Sequence, residues 1–178
     1  MADAVGELIA LVGGARGAAG RGDRARVVGL GDREPRRGRN VNRRRRKKLT
    51  KRLTAAAMSG AAPEVDRLLR AGADPSAADA DGTTPLYAAC VQGSADTARS
   101  LLAAGAPPDA ESAGPGAEGT PLCAAACWGH TETVRTLLAH GADPGLREDH
   151  GTGRTPLEWA TAGPHPETAD ALRATGAR

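Results

Sequence analysis

Phenylalanine is absent from this chain of 178 residues, and its aromatic side chains are two tryptophans and one tyrosine. Alanine dominates the apolar set instead. Such a chain cannot fill a wide globular core, but it suits thin layers in which helices approach closely over small side chains. The length allows one domain. Cysteine is scarce and odd in number, three residues at helical positions, which excludes a disulfide framework and points to a reducing cytoplasm. No long apolar run is present, so a membrane-spanning helix is not expected. Leu8 to Val12 are too few for a secretory core, and Asp3 and Glu7 stand where a basic start would be needed. Gly14, Gly17 and Gly20 recur at three without a preceding strand or a Lys-Ser/Thr pair, which argues against a phosphate loop. The bias toward Ala, Gly, Arg and Pro suggests a GC-rich, bacterial genome.

What the chain does have is repetition. Thr84-Pro85-Leu86, Thr120-Pro121-Leu122 and Thr155-Pro156-Leu157 follow one another at 36 and 35 residues. A second beat runs between them: Leu68-Leu69 before Gly72, Leu101-Leu102 before Gly105, Leu137-Leu138 before Gly141, and Leu172 before Gly176. Threonine before proline is a helix start, because the hydroxyl accepts from an orphan N–H and proline loses nothing at the first helical position. A leucine pair followed by glycine is a helix stop. A further glycine breaks the chain at Gly60, Gly93 and Gly129, in each case 12 residues before the stopping glycine, and Pro164 holds that place before Gly176. The unit is therefore turn, short helix, tight turn, second helix. Self-similarity at this period predicts stacked supersecondary units and an extended binding surface.

Asp81 through Ala106 resembles an ankyrin repeat, as does Gly119 through Asp143, and the resemblance runs from Leu49 to the C-terminus. It implies an all-α solenoid of about four helix-turn-helix units, 49–78, 79–111, 112–147 and 148–178, with atypical terminal units. The histidine usual after Thr-Pro-Leu is replaced by Tyr87, Cys123 and Glu158, which predicts weaker coupling between repeats. In the family, turn tips and the last exposed positions of the first helices line a concave surface. Here these are Ala80, Asp81, Thr83, Val91, Gln92, Cys127, Trp128, Arg154 and Trp159. Trp128 reads as an interface anchor. Trp159 reads rather as packing between the last two units, with a contact role the alternative. Asp79, Asp81, Glu118, Glu148, Asp149 and Arg154 would set a charge preference. Inserts at Glu111–Glu118 and Glu148–Gly153 enlarge the tips, as binding loops or as tolerated drift. The resemblance implies binding of another protein; the acid excess of the repeats favours a partner with a basic patch, and a cytoplasmic monomer without a cofactor is expected.

Charge divides the chain. Residues 1–48 carry 14 basic and 5 acidic side chains, and residues 49–178 carry 10 and 16. Residues 1–40 have no apolar period and are expected to be disordered; they could also be a start-site artefact, with translation beginning at Val41. Arg43, Arg44, Arg45, Arg46, Lys47 and Lys48 then run together. Six cations oppose a helix dipole at its N-terminus, so the first helix is expected near Leu49 or Thr50. The run reads as a solvated lead, as a nucleic-acid or anionic-surface tether over 43–52, or as a strap on the acidic repeats. Cys123, Cys127 and His130 have spacings that mimic a metal corner, but no fourth ligand is evident and structural cysteine is the preferred reading. No acid, base and nucleophile set is found, so an enzyme is not expected.

Overall fold

The computed structural model of the protein describes residues 36–114 and 117–177. The chain divides into two compact units, Met1–Asn42 and Arg43–Arg178. Described residues of the first unit are helical. Arg43 through Lys48 fall in the second unit.

The first helix, α1, spans Arg36–Met58, which corrects its expected start near Leu49. Arg43 through Lys48 sit inside the helix, and although Arg36, Arg37 and Arg39 make its first turn cationic as well, a dipole term of about 0.3–1 kcal/mol per exposed charge does not stop a segment rich in good helix formers. Of the segment expected to be disordered, 36–40 is thus helical, and residues 1–35 lie outside the described residues. Leu53, Ala56 and Ala57 on the later part of α1 are buried and seat it in the first repeat, where α2 follows at Ala62–Arg70.

The next units carry the predicted hairpins of helices: α3 (Pro85–Gln92) and α4 (Ala95–Ala103), then α5 (Pro121–Cys127) and α6 (Thr131–Ala139). After one short turn of helix, α7 (Glu148–Gly151), come α8 (Pro156–Ala162) and α9 (Pro166–Arg173). The threonine of each Thr-Pro-Leu is the N-cap, its hydroxyl accepting from Tyr87 N, Cys123 N and Glu158 N at 3.3, 3.2 and 3.1 Å. The glycines before the second helices, Gly60, Gly93 and Gly129, share φ of 66°, 74° and 71°. In the last unit the proline cannot adopt that conformation, and the preceding Gly163 is extended instead. Two rows of helices result. The first helices pack as α3–α5–α8 and the second as α2–α4–α6–α9, each against its counterpart in the next repeat. Leu68, Leu101, Leu137 and Leu172, all essentially inaccessible to solvent, form the leucine line of the second row.

The stack is not wholly α. The insert after α4 forms a two-stranded antiparallel hairpin, β1 (Ser112–Gly114) and β2 (Ala117–Gly119), with Ala113 opposite Glu118. It docks on the preceding turn: Ala113 N donates to Gly82 O at 3.1 Å, and Thr84 N donates to the Ser112 hydroxyl at 3.3 Å. Loop reasoning missed it because its main-chain partners lie a whole repeat upstream.

Candidate partner-binding face

Because the first helices of the second and third units start from the same threonine cap and end at the same glycine break, the residues just before that break hold equivalent positions in both, and Gly60 marks the same phase in the first unit. The large apolar side chains left exposed among the described residues are Met58, Val91 and Trp128, at 56%, 37% and 41% exposure. Met58 and Val91 lie two residues before their glycines and Trp128 one before. All three stand at the ends of successive first helices, Met58 and Val91 in register and Trp128 one residue on, at the position that Gln92 holds in its unit. Gln92 is exposed beside Val91, and Cys127 is half-buried beside Trp128.

The backbone at these helix ends is tied to the next repeat. The last carbonyls of a helix have no partner within it. Here the next repeat supplies one: His130 Nε2 donates to Val91 O and His165 Nε2 to Cys127 O, both at 3.1 Å. The imidazoles lie so close to Gly93 and Gly129 that a Cβ on either glycine would overlap a ring. Glycine is needed there twice over, for its positive φ and for this approach. Pro164 alters the last turn, yet His165 still reaches its carbonyl.

Other predicted positions sort by exposure. Ala80, Asp81 and Arg154 are exposed. Thr83 is only 6% exposed, which corrects its place on the binding surface; its backbone N–H donates to Asp79 Oδ1 at 3.1 Å, inside the turn. Met58 was missed, since its unit lacks Thr-Pro-Leu, although the phase of Gly60 marks the position. Arg43 through Lys48 are all exposed on α1.

Where the family histidine is absent, Tyr87 substitutes: its hydroxyl donates to Glu118 O in the next unit at 3.1 Å. A side-chain hydrogen bond between repeats is thus kept at this joint. At the next joint the Cys123 thiol donates to Arg154 O at 3.6 Å and also bonds the Glu148 carboxylate. Glu158 turns to its own cap, closing a capping box with Thr155 and pairing with Arg147 at 2.9 Å.

Beside Cys123 lies a cluster that residue-by-residue reading did not join. Trp159 Nε1 donates to Glu148 Oε2 at 2.6 Å, and the Arg154 guanidinium stacks over the indole, 4.7 Å from its centre. Gly119 of β2 leaves room for the Glu148 carboxylate, which a Cβ would strike. Burial pushes the Glu148 carboxyl up to about 7, with Asp149 and Glu111 adding to the rise and the Trp159 and Cys123 bonds opposing it. Trp159 is half-buried and packs against the core, as the packing reading expected. Glu148 and Arg154 are therefore engaged within the chain. Burial also raises the thiols of Cys123 and Cys127, which keeps both in the protonated, weakly nucleophilic form.

The cap, the glycine phases, the histidine-to-carbonyl ties and the doubled row of helices are features of one architecture. A family model for ankyrin repeats (3 copies) matches residues 53–148 and 112–178. No curated protein matches the chain. With those matches reaching from Leu53 to the C-terminal residue, the chain belongs to the ankyrin repeat family.

Proposed function

We propose that the protein is a non-catalytic module that binds another protein through the row Met58, Val91 and Trp128. Gln92 and Cys127 stand beside it, and Ala80, Asp81, Arg154 and Trp159, at the turn tips and the start of the last first helix, extend the surface toward the other end of the helices. Ankyrin repeats generally serve as protein–protein interaction modules, and the observation that carries the reading here is that the exposed large apolar side chains among the described residues all stand at the ends of successive first helices. Exposed aromatic and aliphatic anchors with a polar rim are the usual source of binding energy. Asp79, Asp81, Glu118 and Asp149 give the tips a negative bias that suits a partner with a basic patch.

The repeats are assigned as 49–78, 79–111, 112–147 and 148–178, acting as a monomer. The free thiols of Cys90, Cys123 and Cys127 fit a reducing, cytoplasmic setting. Among the described residues, no helix is long and apolar enough to cross a membrane.

Affinity capture from the native host, read by mass spectrometry, tests the reading. One partner should be retained by the natural protein and lost on Trp128→Ala with the circular dichroism melt unchanged. Equal retention by Trp128→Ala and by Val91→Ser would remove the row from the interface.

A further inference from the structure

The basic run meets a geometry that the apolar row does not use. Arg43, Arg44, Arg45, Arg46, Lys47 and Lys48 take six successive positions of α1, all exposed. At 3.6 residues per turn, six successive side chains encircle the helix. Lys51 and Arg52 add two more exposed cations one turn on. Ion pairs among the described residues engage two of the eight: Arg46 with Asp74 at 3.6 Å and Arg52 with Glu64 at 3.1 Å. The others crowd like charges three and four residues apart, as in Arg43 with Lys47 and Arg44 with Lys48, an arrangement that weakens a free helix. A ligand rich in negative charge relieves that repulsion.

We propose that this segment of α1 binds the phosphate backbone of duplex DNA. A helix that lies in a membrane surface needs an apolar face, and a segment ringed by cations has none. Single strands are held on aromatic platforms, yet the aromatic residues, Tyr87, Trp128 and Trp159, all lie outside the segment. An acidic protein surface would meet one side of the helix and leave the remaining cations in water. A groove with phosphates on both walls meets several sides at once. The major groove of B-form DNA, about 12 Å wide, admits a helix of about 10–12 Å diameter, while that of A-form RNA is too narrow. The acid excess over residues 49–178 confines the contact to this segment.

Fluorescence anisotropy of the full chain with a labelled mixed-sequence duplex of about 20 base pairs, across a salt series, tests the proposal. Six phosphate contacts predict that log K falls against log salt with a slope of about −5. The triple variant Arg44→Gln, Arg45→Gln, Lys48→Gln should reduce the steepness of that slope by about 3 and weaken binding at low salt by at least roughly tenfold. Glutamine is a good helix former and the change removes repulsion, so helix content by circular dichroism should not fall. Unchanged duplex affinity in the triple variant would overturn the proposal. So would tighter binding to phosphatidylserine vesicles, or to the single-stranded oligonucleotide, than to the duplex.

Discussion

The joint between the second and third repeats and the joint between the third and fourth share one outer fastening and differ in the inner one. In both, a histidine ring caps the last carbonyls of the preceding first helix, His130 on Val91 and His165 on Cys127. On the inner side the earlier joint uses a neutral phenol, Tyr87 on Glu118 O. The later joint sets a long thiol contact beside a half-buried carboxylate that an indole and its stacked guanidinium surround. A repeat scaffold thus keeps its backbone fastening constant while its side-chain fastening drifts, and only the later joint acquires a dependence on protonation.

The largest expected effect tests whether the two joints carry equal cores. Leu101 and Leu137 are equivalent and fully buried. Leu137→Ala should cost about 2–5 kcal/mol, as a large-to-small change in a packed site, and Leu101→Ala should cost the same within that range. Urea unfolding checks both. Absence of a shift for Leu137→Ala would contradict its place between the helix layers. A large gap between the two variants would show that the insert hairpin or the acidic cluster changes how well one layer can relax.

A second, smaller effect isolates the shared fastening. Gly129→Ala places a Cβ against the His165 ring and at φ 71°. The left-handed backbone alone costs roughly 1–2 kcal/mol for a residue with a side chain, and displacing the ring forfeits a hydrogen bond worth about 1 kcal/mol. In a His165→Ala background the second cost disappears, so the two changes should be non-additive. The matching cycle at Gly93 and His130 should give the same coupling. Additive costs would mean that the ring moves aside freely and that the carbonyl ties add little.

The repeat phase was legible because it is written in local chemistry. Thr84, Thr120 and Thr155 cap helices whose first residue is proline, and the glycines before the second helices mark the left-handed positions wherever they stand. Trp128 was readable as exposed for the same reason, since it falls just before such a glycine. What stayed hidden depends on partners far along the chain. The strands at Ser112–Gly114 and Ala117–Gly119 are held by Gly82 and Thr84, about thirty residues upstream. Glu148 read as surface charge because its indole partner is 11 residues away and its thiol neighbour lies in the previous repeat. The early start of α1 stayed hidden because the dipole penalty on exposed cations is small, too small to stop the helix even at a first turn holding Arg36, Arg37 and Arg39.

The smallest expected effect sharpens the difference between the joints, and its sign follows from linkage. Burial raises the folded Glu148 carboxyl from its ordinary 4.5 to about 7. Between those values the folded protein holds a proton that the unfolded chain has released, so stability falls as pH rises from about 4.5 to 7 and then levels off. Glu64 and Glu158 act in the opposite sense, but their carboxyls are lowered, Glu64 chiefly by Arg67 and Glu158 chiefly by the Thr155 N–H. Their influence therefore lies below the ordinary carboxylate range. Glu148→Gln keeps an acceptor for Trp159 and cannot ionise, so the urea midpoint should become flatter between pH 5 and 7 than in the natural protein. Tyr87→Phe at the earlier joint removes one neutral hydrogen bond and should lower stability by about 0.5–1.5 kcal/mol, equally at both ends of that range. A pH slope that survives Glu148→Gln would place the titrating group elsewhere. A slope altered by Tyr87→Phe would show that the two joints respond to protonation together, and the contrast between them would then be one of degree.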